Sequence, residues 1–265
     1  RGLYERLSSI TYTFRFNEVL DPSKLHSSLV KLFTIGDWRK LGGRLRRTDN
    51  GDIVIHVPKV YDAEHPAVRY SHVEFDIRIE VYLLGCRLPK ETEPYPSVHE
   101  GCHTFRSFSR RQDLPGDIEH HYTSDEPLVS LRVTSFTDTT PVPITFPHSV
   151  CDAMGTAELL RAWSSVLASR IESVPAVLGA SRDVIETMGT LSDEKAEKPY
   201  LLEHRQIKCF SLLAFIVRFV WDLLTRRNVQ TRTIFLPASF LRKLRQEAQE
   251  QLAIEPTGRT QSFPQ

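Results

Sequence analysis

Residues 141–170, PVPITFPHSVCDAMGTAELLRAWSSVLASR, constrain the fold more than any other stretch, because the hydrophobic period changes inside them. Val142, Ile144 and Phe146 alternate with Pro143, Thr145 and Pro147, which is the period of a strand. Pro141 and Pro143 carry no N–H, so this strand is not expected to be fully paired as a central strand over its whole length. After Asp152 the period becomes helical: Leu160, Trp163 and Leu167 share a stripe, with Ala153, Met154 and Ala157 upstream.

The turn itself carries the reactive side chains. Asp152 stands where an N-cap belongs, and its carboxylate can take free N–H groups of the first helical turn. His148 ends the strand beside a proline, without the apolar neighbours of a core histidine. Reactive groups sit on such loops, and an imidazole titrating near neutrality suits proton abstraction. A satisfied structural histidine is the competing reading, with equal weight. Cys151 invites a thiol-nucleophile reading that its place between His148 and Asp152 does not favour.

Elsewhere, residues 10–16 alternate as a strand, with Tyr12, Phe14 and Phe16 on one face. Asp21 and Pro22 open a helix whose stripe is Leu25, Leu29 and Leu32. Residues 44–57 read as a hairpin around Asn50-Gly51. Gly42, Gly43 and Arg44, Arg46 and Arg47 are read as a turn and a solvated basic face rather than a phosphate cradle. Residues 87–127, rich in Pro, Ser, His and charge, read as a long surface excursion.

Residues 128–136 form a strand with Val129, Leu131 and Val133 on one face, and a hairpin through Asp138 brings it back to the strand ending at His148. Residues 173–199 read as loop-rich, with a short helix near Asp183 to Met188 and a charged, linker-like stretch over 191–199. Residues 210–224, FSLLAFIVRFVWDLL, are the most apolar stretch, too short and too charged to span a bilayer. They are expected to pack a wide apolar face on the protein, with Arg218 and Asp222 as an i, i+4 pair; an interfacial membrane helix is the alternative. A strand over 231–236 and a helix from Pro237 and Ser239, with Leu241, Leu244 and Ala248 as its stripe, follow.

His99-Glu100-Gly101-Cys102-His103 satisfies HExxH, the pattern of a zinc protease. That chemistry needs both histidines one turn apart on a helix. Pro94 and Pro96 before it, and Gly101 within it, argue against a helix, so no metal site is expected and a zinc hydrolase through His99, Glu100 and His103 is the remote reading. The net charge of +1 gives no electrostatic case for nucleic acid. Cys86, Cys102, Cys151 and Cys209 show no framework spacing, which favours a reduced, cytoplasmic setting. No signal-peptide pattern follows Arg1, and membrane association is not expected.

His148-Ser149-Val150-Cys151-Asp152 with Ala153-Met154-Gly155 resembles the HxxxD motif of the BAHD acyltransferases, closest to their fungal, trichothecene O-acetyltransferase-like branch. Residues 36–45 (GDWRKLGGRL), 125–131 (DEPLVSL), 134–138 (TSFTD), 160–168 (LRAWSSVLA) and 174–179 (VPAVLG) extend the likeness in order along the chain. The resemblance implies an α/β (α+β) fold, a chloramphenicol-acetyltransferase-like two-layer domain with a mixed sheet. It also implies acyl-CoA as co-substrate with no bound cofactor, and a small-molecule alcohol or amine, a secondary metabolite, as acceptor. His148 is then the general base. Asp152 is structural and faces an arginine, for which Arg232 is the match by position; Gly155 stands near the place where many members have glycine directly after the motif's Asp. The expected division is residues 1–200 as an N-terminal domain, 201–229 as a crossover segment and 230–265 as the start of an incomplete second domain. The family's second motif, DFGWG, does not occur in this chain. The alternative is an inactive fragment or interaction module whose exposed half-interface takes a partner chain.

Overall fold

The computed structural model describes residues 9–90, 92, 94–109, 118–177, 206–226 and 230–254. The helix expected near residues 183–188, the linker over 191–199 and the domain boundary near 200 lie outside them.

The chain opens with β1 (Ser9–Phe16) and α1 (Pro22–Leu32). Asp21 caps α1 as expected, its Oδ1 accepting from the N–H of Ser23 and Lys24 at 2.8 and 3.1 Å. A 3-10 turn over Gly36–Gly42 leads into the hairpin of β2 (Arg44–Arg47) and β3 (Ile53–His56). That hairpin closes through Thr48 and Asp52, and Gly51 takes φ +89°, a region glycine enters without penalty. Next come β4 (Arg69–Glu74), β5 (Ser97–Glu100), α2 (Arg106–Ser109) and α3 (Ile118–Thr123). Then β6 (Ser130–Ser135), β7 (Thr140–Pro147) and α4 (Ala153–Leu167) form the expected hairpin, turn and helix. The described residues end with α5 (Cys209–Thr225), β8 (Arg232–Phe235) and α6 (Ala238–Ile254).

The main sheet has the order β1-β7-β6-β4, antiparallel except for the parallel β4–β6 pair. The fold is therefore mixed α/β with a mixed sheet. β7 is interior and buried along its whole length. Its prolines explain how. Eight residues pair with β1, which requires the N–H groups of Val142, Ile144 and Phe146 to face that strand. The donorless Pro141, Pro143 and Pro147 then face β6, where the registered pairing narrows to Ser130↔Thr145 and Leu131↔Ile144.

One face of this sheet carries Val142, Ile144, Phe146, Leu131 and Val133 against Leu25, Leu29 and Leu32 of α1 and Leu159, Ala162 and Trp163 of α4. Trp163 also donates its indole N–H to Ser28 Oγ at 2.8 Å, tying the two helices together. Each of these fully buried side chains is worth about 1.5–3 kcal/mol of transfer free energy. The α4 stripe is rotated from the expected one: Thr156, Leu159, Ala162, Trp163 and Val166 are buried, while Leu160 and Leu167 pack only at the edge and Met154 is 68% exposed. Small residues let α4 approach closely, and side-chain hydrophobicity alone does not mark them.

Residues 87–127 are not a plain surface excursion. Phe105 and Phe108 are buried with Ile79 and Phe136 in a second cluster, joined by Phe75 and Tyr82. Two aromatics three residues apart supply this anchor inside an otherwise polar stretch. β5, in the same segment, pairs antiparallel with β8.

The C-terminal arm also departs from expectation. α5 packs no wide apolar face on the protein: Phe210 is 87% exposed and Trp221 65%. Asp222 pairs with Arg226 at 3.7 Å, in place of the expected Arg218 partner. No helix among the described residues is long and apolar enough to cross a membrane.

Candidate active site

The strand-to-helix turn puts His148 just beyond the central strand and Asp152 at the head of α4. Val150 N–H donates to Pro147 O at 2.9 Å, closing a tight turn around His148 and Ser149. Asp152 is extended, with φ −90° and ψ −167°, and its Oδ1 accepts from Gly155 N–H at 2.8 Å. Its carbonyl takes the Thr156 N–H at 2.9 Å and the Thr156 hydroxyl at 2.7 Å. These bonds satisfy donors that a helix start leaves free. A β-carbon on Gly155 would stand 2.8 Å from Cys151 Cβ, so the turn and the first helical turn approach closely only because residue 155 is glycine.

His148 is exposed, and its Nδ1 lies 3.3 Å from the carbonyl oxygen of Cys151. A carbonyl can only accept, so this contact requires the proton on Nδ1. The neutral ring then presents an unprotonated Nε2, the arrangement a general base needs. The sequence pointed to His148 but not to its partner, since a backbone carbonyl three residues on has no signature of its own. Cys151 is half-buried, with Sγ 3.7 Å from Thr156 Oγ1, and burial raises its thiol pKa. A raised pKa is the opposite of what an activated thiolate requires.

The structure does not join Asp152 to Arg232. Asp152 spends its carboxylate on the α4 cap, whereas Arg232 lies on β8 opposite Glu100 and donates to Gln230 Oε1 at 3.2 Å. The HExxH pattern does not take the helical form that a zinc site needs either. His99 and Glu100 are neighbours on strand β5 and so point to opposite faces. His99 Nε2 bonds Ser97 Oγ at 2.7 Å. Glu100 takes a forked bond from Arg87, 2.7 and 2.6 Å, and that guanidinium holds its carboxyl below the usual range. His103 lies in a separate 3-10 turn. Pairing with β8 gives these residues strand geometry where zinc ligation would need a helix. Among the described residues no group of three or more His, Cys, Asp and Glu is placed to hold a metal ion.

A cavity of about 620 Å³ backs on to the turn. Trp38, Leu41, Ile55, Val150 and Val177 supply its apolar wall, Ser149, Cys151 and Gly155 the turn side, and Asp37, Lys40 and Glu158 its charges. Its size is that of a small-molecule cleft. The indole N–H of Trp38 donates to Pro175 O at 2.8 Å, which fixes the wall to the segment after α4. His148 does not line it. Trp38 and Leu41 belong to the GDWRKLGG stretch, and only the fold brings that stretch to the motif.

No family model matches the chain. It is 49% identical over 249 residues to the acetyltransferase BOT5 of Botryotinia fuckeliana, covering 93% of this chain and 46% of that protein. It is 39% identical to the acetyltransferase pyiB of Pyricularia grisea, covering 93% and 48%. Among solved structures it is similar to TRI101 of F. sporotrichioides complexed with coenzyme A and T-2, at 15% identity and a TM-score of 0.40, covering 62% of this chain and 38% of that one. The chain is thus a relative, over nine-tenths of its length, of fungal proteins named acetyltransferases, and it spans about half the length of those curated relatives.

Proposed function

We propose that this chain carries the general base of an acyl-CoA-dependent acyltransferase that acylates, most simply acetylates, a hydroxyl or amine of a secondary metabolite. The observation that carries the reading is the placement of His148: its Nδ1 lies 3.3 Å from Cys151 O, a contact that leaves Nε2 to act as the base at an exposed turn. The similarity to proteins named acetyltransferases supplies the reaction class. Nε2 takes the proton of the acceptor hydroxyl as its oxygen attacks the thioester carbonyl. The tetrahedral intermediate collapses, the C–S bond breaks, and the thiolate of CoA leaves with the proton returned by His148. No acyl-enzyme forms, and Cys151 takes no part. Asp152 and Gly155 are positioning residues: they hold the turn on α4 so that Cys151 O stays under the imidazole.

The test is thiol release from acetyl-CoA in the presence of hydroxylated terpenoid and phenolic acceptors. His148→Gln is expected to lower turnover about 10²- to 10⁴-fold, the usual worth of a positioned base, with the melting curve unchanged. Equal turnover in the variant would remove His148 from the chemistry. Cys151→Ala is expected to keep turnover.

A second reading is favoured by the arm. α5, β8 and α6 expose Phe210, Trp221, Ile234 and Leu241, an apolar surface that another domain or chain would cover. In that reading the chain is an inactive interaction module. Acceptor-dependent turnover by the chain alone would exclude it. A folded chain that turns over nothing, with or without a partner that covers this surface, would support it.

A further inference from the structure

The cavity behind the turn has an apolar wall and one uncommitted charge. Trp38, Leu41, Ile55, Val150 and Val177 line it. Trp38 is only 6% exposed, and its indole N–H is spent on Pro175 O. The other polar groups of the lining are mostly taken. Glu158 accepts from Arg161, Cys151 Sγ lies against Thr156 Oγ1, and Lys40 is engaged as well. Arg39, between Trp38 and Lys40, gives its guanidinium to Pro58 O and Lys59 O. The head of α4 would favour an anion, but the Asp152 carboxylate already holds it. What remains is the carboxylate of Asp37 and the hydroxyl of Ser149. Both residues are exposed, and neither side chain has an ion pair or hydrogen bond among the described residues. Apolar surface laid against such a wall leaves water. A lone carboxylate at its edge favours a donor and opposes an anion.

We propose that this cavity binds a small apolar molecule that carries a hydrogen-bond donor, an ammonium or a hydroxyl group. Its apolar body lies against Trp38, Leu41 and Val177, and its donor faces Asp37. The volume, about 620 Å³, is within the range of small-molecule sites. A ligand that bears phosphates, as CoA does, would bring negative charge to Asp37 with no uncommitted cation to receive it. The occupant touches Ser149, Val150 and Cys151, so it meets the turn that carries His148 without meeting the imidazole, which does not line the cavity. The site is therefore distinct from the candidate base, and binding there does not depend on the acyl-transfer reading.

Isothermal titration with adamantylmethylamine, adamantylmethanol and adamantanecarboxylate tests this directly. The three share one rigid apolar body and differ in the group they present to Asp37. The amine is expected to bind tightest, the alcohol next and the carboxylate weakest, with about fivefold or more between the first and the last. Asp37→Asn should weaken the amine about two- to fivefold, the worth of an exposed charge pair, and leave the alcohol within about twofold. Ala176→Trp, at an exposed position of the lining, fills the cavity and should weaken all three about tenfold or more without moving the melting curve. CoA in excess should not displace the amine. Binding of none of the three, a carboxylate that binds as tightly as the amine, or equal affinities in Ala176→Trp would overturn the proposal. Displacement of the amine by CoA would overturn it too, and would assign the cavity to a CoA-bearing molecule.

Discussion

Phe146 on β7 is 1% exposed and Phe210 on α5 is 87% exposed; Trp163 on α4 is 5% exposed and Trp221 on α5 is 65%. The same residue types thus meet opposite fates in two regions of one chain. In the body, residues 9–177, each apolar stripe finds another: α1 and α4 lie together on the sheet. In the arm, residues 206–254, α5 carries a wide apolar face, and among the described residues its aromatic pair is internal, Phe215 on Phe219. Hydrophobic content raises the demand for burial, but only complementary elements meet it.

The largest expected effect sharpens this contrast. Leu29→Ala, at a fully buried position on α1, should cost about 2–5 kcal/mol in urea unfolding, the usual cost of a large-to-small change in a packed core. Phe219→Ala, 51% exposed on α5, should stay within about 0.5 kcal/mol. The double variant Phe215→Glu, Phe219→Glu should also leave stability alone while reducing dye binding to exposed apolar surface. A Phe219→Ala cost equal to that of Leu29→Ala would break the comparison, because it would show α5 packed in solution.

A smaller effect separates the two regions at the motif. Asp152→Ala removes the α4 cap and should cost about 0.5–2 kcal/mol, with Asp152→Asn restoring most of it. Arg232→Ala, on the arm, should cost nothing measurable. The double variant should show additivity, since the two side chains are not partners. Coupling of 0.5 kcal/mol or more, on the scale of contacting residues, would establish the ion pair that the motif's resemblance implies.

How much of this was legible in the sequence follows from the range of the interactions. Asp21 and Pro22 announce α1, Asp152 announces α4, and alternation announces β1, β6 and β7, because caps and periods are local. Partners are not local. β7 pairs with β1 from far along the chain, β4 joins β6 in parallel across a long connection, and β5 finds β8. Nothing within a single segment encodes such pairing. The same limit explains the site. His148 and Asp152 are visible as residues of a turn, but Cys151 O as a hydrogen-bond acceptor and Trp38 as a cavity wall need the folded backbone.

The smallest effect concerns protons. None of residues 206–254 is histidine, so the arm contributes no histidine titration near neutrality. His26 of α1 stacks on Tyr70 of β4 with ring centroids 4.2 Å apart, and burial lowers its pKa from 6.5. A lowered pKa means that the folded state binds the proton less readily than the unfolded one. Its contribution is therefore complete above pH 6.5, declines as the pH falls toward the lower folded value, and is constant again below that. His26→Phe keeps a ring against Tyr70 and removes the titration. Urea midpoints measured from about pH 7 down to about pH 5, a range spanning the ordinary histidine pKa, should fall more steeply for the parent than for the variant. Equal slopes would mean that the ring is solvated in both states and that the stack adds little to the α1–sheet contact. A slope difference read equally by tryptophan fluorescence of Trp163 in the body and of Trp221 in the arm would mean that the two regions unfold as one unit. A difference confined to Trp163 would mean that the arm is thermodynamically separate, as its unmatched faces predict.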